Sequence, residues 1–281
     1  MIESRKNDRA AWIKGPIAKC SVVPDEPPRA WRLVLLGAPG VGKGTQAEML
    51  TERLGVCHLS TGDVFRAASK SCNGVQTAAM TEALRYMREG RLVPDTTVWD
   101  IIRERVGCIR CCGGFVLDGF PRTIVQAEAL ERLMTEQQVF LDAVLDYELP
   151  TEEIVARLSG RRVCPKCKAV FHASQRPPRK ENVCDHCGSP LIQREDDRPE
   201  SIKVRLKTYE EDTAPLIDFY RKIGRLVSVS AAGSADEVFE RSMVALEAAI
   251  TDGPLRSRDP REAIIGIGRP GHLTRGHSDP L

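Results

Sequence analysis

The sequence lacks a charge bias: its 281 residues carry 41 Lys and Arg against 39 Asp and Glu, a formal net charge of +2. No global field draws such a chain to nucleic acid or to an anionic membrane, so any affinity for phosphate has to be local. It also lacks any apolar run near the roughly 18 to 20 residues that a bilayer-crossing helix needs. The first thirty residues lack the continuous hydrophobic core of a signal peptide, because Glu3, Asp8, Asp25 and Glu26 are scattered among Arg5, Lys6, Arg9, Lys14 and Lys19. The same acids argue against an organelle transit peptide. No repeat of fixed period occurs. With 42% hydrophobic residues the chain can still bury a substantial core, as one large domain or two.

Ten cysteines in a chain of this size without a secretion signal fit free thiols and metal thiolates better than disulfides. Four of them form two knuckles, Cys164-x2-Cys167 and Cys184-x2-Cys187, separated by sixteen residues. That spacing suits a tetrahedral metal, zinc in the first instance, although spacing alone does not separate zinc from iron. A full set of four thiolates leaves no open position for substrate, so the metal is expected to be structural. It would supply folding free energy to residues 164–193, which have too few apolar side chains for a core of their own. His172 and His186 beside the knuckles then have no ligand role. Cys108, Cys111 and Cys112 have no second CxxC to pair with and read as reduced, incidental thiols; Cys20, Cys57 and Cys72 read as packing.

Leu33-Val34-Leu35-Leu36 has the look of a strand buried on both faces, and it runs into Gly37-Ala38-Pro39-Gly40-Val41-Gly42-Lys43-Gly44-Thr45. A helix follows, with Ala47, Leu50 and Leu54 on one face and Gly55 as its stop. A glycine loop between strand and helix aims backbone N–H groups, at the positive end of the helix dipole, towards a bound anion, and Lys43 adds a full charge. Where such loops usually carry a hydroxyl for magnesium, this one has Gly44. Magnesium readily keeps water ligands, so carboxylates near the loop can hold those waters instead. Asp118, at the end of one expected strand, and Asp63, after another, are the candidates. Further apolar runs at residues 56–59, 115–117, 143–145 and 226–229, separated by helical patterns, predict a parallel sheet flanked by helices. Before it, Pro24 to Pro28 reads as an extended linker, and residues 1–30 as a flexible extension. From about residue 251 the composition predicts a disordered tail, in which His272 and His277 are simply solvent-exposed.

Taken together, GAPGVGKGTQ at 37–46, STGDVFR at 60–66, DGFPRTIVQ at 118–126, GRRVCPKC at 160–167 and QREDDRPESIKVRL at 193–206 resemble adenylate kinase, over roughly residues 31–250. Glycine after the loop lysine is itself usual in that family. The resemblance implies a P-loop three-layer α/β fold with a five-stranded parallel sheet, a helical AMP-binding insertion at about 61–95 and a small zinc-bearing lid at about 160–195. It implies a phosphotransferase for ATP and AMP that yields ADP, with Mg2+ accompanying ATP, acting as a monomer in the cytoplasm without nucleic acid or membrane.

By the same resemblance, Gly40, Val41, Gly42, Lys43, Gly44, Thr45, Arg157, Arg161, Val170, Phe171 and Gly233 match the ATP side. Thr61, Arg66, Arg91, Leu92, Val93, Gly119, Phe120, Pro121, Arg122, Gln126, Arg194 and Arg205 match the AMP side, where the Gln126 amide could pair with the adenine edge. Lys43, Arg122, Arg161, Arg194 and Arg205 match the groups around the transferring phosphate, where positive charge and positioning do the catalysis and no general base is needed. Two alternatives stay open: UMP or CMP as the acceptor, and a zinc-ribbon nucleic-acid binder with a nucleotide switch. The second is weakened by Phe171 being the sole ring other than histidine in residues 164–193.

Overall fold

The computed structural model describes residues 30–62, 84–104 and 113–251. The expected N-terminal extension and C-terminal tail, the group of Cys108, Cys111 and Cys112, Cys20 and Cys72, and the middle of the insertion with Asp63 and Arg66 lie outside the described residues.

β1 (Arg32–Gly37) is the centre of the sheet. Its apolar run alternates faces, as a pleated strand must: Val34 and Leu36 enter one core and Leu33 and Leu35 the other, all at most 2% exposed. β2 (Cys57–Ser60), β3 (Phe115–Asp118), β4 (Ala143–Glu148) and β7 (Leu226–Ser230) complete a five-stranded sheet in the order β2-β3-β1-β4-β7. Every pairing in it is parallel. The expected five-stranded parallel sheet is therefore present, with β2 shifted by one residue, β1 longer than its apolar run by one residue at each end, β3 and β7 longer by one, and β4 longer by three.

Helices cover both faces. α1 (Lys43–Leu54) follows the glycine loop, α2 (Asp95–Glu104) and α3 (Ile124–Glu136) flank β3, and α4 (Thr151–Gly160) leads to the ribbon. From central β1 the chain goes out to β2, returns to β3 beside β1, then crosses to β4 on the other side of β1 and on to β7. Such an order opens a crevice at the carboxyl ends of the strands. Register aligns Leu35 and Ser60 with Asp118, and Gly37 with Tyr147, so the ends of β1, β2, β3 and β4 come level at that edge.

Between α4 and α5 (Pro199–Thr208) the chain leaves the sheet to form the ribbon, whose β5 (Arg161–Val163) and β6 (Val170–His172) pair antiparallel. Its core is tiny: Cys164, Phe171, Cys184 and Leu191. After α5 the backbone widens into one π-helical turn at Tyr209–Thr213 before α6 (Pro215–Lys222), and α7 (Ala235–Thr251) closes the described chain. Pro215 has no N–H to continue an α-helical ladder, which accounts for the break there.

Candidate active site

The glycine loop wraps the carboxyl end of β1. Gly37 has φ +124°, and a Cβ on it would lie 2.5 Å from the Tyr147 carbonyl oxygen, so only glycine lets the loop turn this tightly over β4. Lys43, the first residue of α1, folds back and donates to the carbonyls of Gly37 at 2.6 Å and Ala38 at 2.9 Å. An ammonium has three donors, so one remains for a ligand. Burial lowers the Lys43 pKa to about 7, against the opposing pull of Asp118 and Asp146. A charge so poorly solvated gains more than a surface lysine does from a polyphosphate.

Asp118 ends β3 directly beside the loop. Its Oδ2 would lie 3.6 Å from a Cβ placed on Gly44, so the carboxylate stands where the missing hydroxyl would have projected. Burial alone would raise its pKa, but contact with His58, whose Nε2 is 3.5 Å away, and the charges of Lys43 and Arg122 hold it well below the ordinary carboxylate range. An ionised carboxylate in front of an open glycine fits a water-bearing cation of the magnesium type.

A single cleft of 1060 Å3 gathers the remaining groups. Along it lie Gly40, Val41, Gly42, Lys43, Gly44 and Thr45 of the loop and the start of α1, Arg157 and Arg161 of α4 and β5, Val170 and Phe171, Gly233, Asp118 at the end of β3 with Gly119 and Arg122 after it, and Arg194 and Arg205. All five residues expected around the transferring phosphate therefore line one space. Arg157 caps the loop that follows β7, donating to the carbonyls of Ala231 at 3.0 Å and Gly233 at 3.3 Å, and also to Val41 at 3.3 Å. Arg161 grips fully buried Asp197 with two nitrogens, through Nε to Oδ2 at 2.7 Å and through a shorter bond to Oδ1; Arg205 shares that Oδ1 at 3.0 Å and also meets Asp196.

Other expected residues take less direct places. The Thr61 hydroxyl donates to the Gly119 carbonyl at 3.0 Å, and Arg122 Nε donates to the same oxygen at 2.9 Å. Phe120, 1% exposed, stands edge-on to Trp99 and is joined to Pro121 by a cis peptide. The Arg91 guanidinium lies over the Tyr86 ring and bonds Glu89, and Val93 packs against the core. Gln126 is 2% exposed, and its amide already accepts from the Arg122 N–H at 2.8 Å and donates to Asp95 at 2.6 Å. Thr123 is the N-cap of α3 and Gln126 sits three residues on, so this is the local arrangement of a capping box with the amide reaching one residue further back. One N–H and one lone pair of that amide are left for an adenine edge. The Phe171 ring packs in the ribbon core, edge-on to His186 at 6.0 Å, and also borders the cleft.

In the ribbon the four Sγ atoms lie within 4.8 Å of one another, with Cys164–Cys187 and Cys167–Cys184 at 3.4 Å. A tetrahedral zinc with bonds of about 2.3 Å needs sulfurs about 3.8 Å apart, so this set fits one metal ion. The two knuckles are near copies: Lys168 N–H donates to the Cys164 carbonyl at 3.0 Å as Gly188 N–H does to Cys184 at 2.9 Å. Both of those donors have left-handed φ, +66° for Lys168 and +70° for Gly188. Glycine takes that conformation freely, whereas a lysine holds it here because the knuckle requires it.

Sequence reasoning missed Asp197 and His172. Asp197 could have been suspected from three acids lying between arginines in Arg194-Glu195-Asp196-Asp197-Arg198. His172 has no ligand role in the cysteine set, yet it borders the cleft and packs flat on Gly160, where a Cβ would lie 2.1 Å from its Nε2. No local pattern marks that contact.

A phosphate-binding loop at the end of a central parallel strand, a buried lysine and a ring of arginines across one cleft define the class of P-loop phosphotransferases. The family model for adenylate kinase matches residues 35–225. The adenylate kinase of Carboxydothermus hydrogenoformans is 47% identical over 216 residues, which cover 77% of this chain and 99% of that protein. That of Streptomyces avermitilis is 47% identical over 217 residues, 77% and 97% of the two chains. That of Caldicellulosiruptor bescii is 51% identical over 196 residues, 70% and 89%. The chain belongs to the adenylate kinase family.

Proposed function

We propose that the protein transfers the terminal phosphoryl group of magnesium-bound ATP reversibly to AMP, giving two ADP. An AMP phosphate oxygen forms a bond to the γ-phosphorus as the bond from that phosphorus to the β,γ-bridging oxygen breaks, and the departing ADP keeps the electron pair. Neither step needs a proton from the chain. The observation that carries this reading is the convergence of Lys43, Arg122, Arg161, Arg194 and Arg205 on one cleft, where the glycine loop and the turn after β3 lie side by side at the ends of neighbouring strands. Charge on the transferring group is spread over its equatorial oxygens, and cations fixed in advance stabilise it without reorganising.

On this reading Lys43 and the loop N–H groups hold the ATP phosphates, Arg157 and the loop at Gly233 flank its base, and Arg122 with Arg205 receives the AMP phosphate. Arg66 belongs with them by sequence. Asp118 would orient water on magnesium, which when bound neutralises the β- and γ-oxygens. Zinc in the four-cysteine site would be structural and would hold the lid, whose closing keeps water from intercepting the transfer. The enzyme is proposed to act as a cytoplasmic monomer.

The test is ADP formation from ATP with AMP, UMP or CMP as acceptor. AMP is expected to be turned over fastest, and Lys43→Met to abolish turnover in a folded protein. Faster turnover with UMP or CMP would overturn the acceptor, and an active Lys43→Met variant the mechanism.

A further inference from the structure

Arg122 is held by its main chain from both sides. Its N–H donates to Gln126 Oε1 of α3 at 2.8 Å, and its carbonyl accepts from the Thr213 hydroxyl at 2.9 Å, across 91 residues of sequence. Thr213 is 8% exposed and is the last residue of the π-helical turn between α5 and α6. Its behaviour is unlike that of three other helical threonines. Thr51, Thr135 and Thr251 each donate to the carbonyl four residues earlier, at 2.6, 2.8 and 2.8 Å. That local bond is the ordinary fate of a threonine hydroxyl in a helix. At Thr213 the helix is widened, with Ala214 N–H reaching back to the Tyr209 carbonyl at 2.7 Å, and the hydroxyl leaves its own helix for the turn after β3.

The same helical segment carries Arg205, eight residues earlier, which spans about 12 Å at an α-helical rise. Arg205 is fixed through Asp196 and Asp197, and Arg122 through Thr213. One continuous piece of chain therefore carries Arg205 and holds the main chain of Arg122. We propose that Thr213 is a positioning residue: its hydroxyl, turned outward by the π-helical turn, fixes the Arg122 peptide and so sets where the Arg122 guanidinium stands relative to Arg205 at the acceptor phosphate. This rests on the proposed phosphoryl transfer and assigns to that site a support outside the motifs that mark it.

The experiment compares Thr213→Val, which keeps the shape and removes the donor, with Thr213→Ser, which keeps the donor, each alone and combined with Arg122→Lys. Initial rates are measured against AMP and against ATP. Losing one oriented hydrogen bond should lower kcat/KM for AMP by roughly tenfold in the valine variant, with KM for ATP changed less than about twofold. Serine should restore activity to within about threefold of the wild type. In the Arg122→Lys background the valine substitution should cost less than about twofold, because the group it positions is no longer the one that acts. A valine variant as active as the wild type, an equal loss in both backgrounds, or a serine variant as impaired as valine would each overturn the proposal. If circular dichroism shows the valine variant unfolded, Thr213→Ala takes its place under the same criteria. Full activity of Arg122→Lys alone would instead remove the reading of the site on which the proposal rests.

Discussion

Asp197 offers the sharpest test of how the site is held. It is 0% exposed, and its two oxygens take three contacts from arginine: Nε and a terminal nitrogen of Arg161, and Nη1 of Arg205 at 3.0 Å. Replacement by Asn keeps the shape and removes the charge. The amide oxygen can keep the Oδ1 partners, but the amide nitrogen then faces Arg161 Nε donor to donor. One charge-assisted bond is lost and the others become bonds to a neutral acceptor, where each bond to a charged group is worth about 1.5–3 kcal/mol. Removing one partner of a buried ion pair costs about 3–5 kcal/mol. Arg161 and Arg205 keep 17% and 18% of their side-chain surface in water, so hydration recovers part of this and places the loss near 3 kcal/mol. That is a large share of the roughly 5–15 kcal/mol that holds a typical domain folded. Urea unfolding of Asp197→Asn and the wild type, each with and without saturating nucleotide, measures it. Phosphates supply the missing counter-charge, so bound nucleotide should shrink the deficit. A loss below about 1 kcal/mol, or a deficit that nucleotide leaves unchanged, would refute the account of Asp197 as the shared anchor.

Three further outcomes follow from the site and the ribbon. Because burial lowers the Lys43 pKa from 10.5 to about 7, the unfolded chain holds a proton between those values that the folded one has released. Stability without ligand should therefore rise from pH 7 towards 10.5, an effect isolated by comparison with Lys43→Met. Polyphosphate restores the charge, so ATP binding at pH 8 should take up close to one proton, read as a buffer-dependent calorimetric enthalpy; no uptake would contradict the burial argument. Cys184→Ser, or chelation of the wild type, should release the ribbon and lower Tm by roughly 5–10 °C, as loss of a few kcal/mol does in a domain this size. The core should keep its far-ultraviolet dichroism, and an unchanged Tm would show that the cysteines carry no metal.

What could be read in advance was what neighbouring residues determine. The glycine loop, Lys43 and the opening of α1 are contiguous, and two CxxC knuckles declare their metal geometry over a few residues each. The four apolar residues of β1 announced a strand covered on both faces because each side of the sheet needs its own layer. What stayed hidden was set by partners distant in sequence. Gln126 reads in isolation as a free amide for a base, yet the fold ties it to Asp95 and the Arg122 N–H. Phe171 matches the ATP side by resemblance and borders the cleft, but nothing in its neighbours shows that the ribbon also uses the ring for its own small core. Thr213 carries no local sign at all, since its role comes from a widened helical turn meeting a loop 91 residues away.

The near-neutral charge of the whole chain and the strongly cationic cleft are two sides of one arrangement. Lys43, Arg157, Arg161 and Arg205 do not wait as free charges: protein carbonyls hold the first two, and Asp196 and Asp197 hold the others. Each is therefore already oriented, so stabilising a transferring phosphate requires little movement. The same partners limit how tightly a phosphate is held in the ground state, because a guanidinium that shares Asp197 gains less from a second anion than a bare one would. An enzyme that runs its reaction in both directions needs this compromise, since phosphates bound without competition would leave too slowly for turnover. If Asp197 limits phosphate affinity in this way, Asp197→Asn should slow product departure, read as the ADP off-rate, before it harms binding; an unchanged or faster off-rate would contradict the argument.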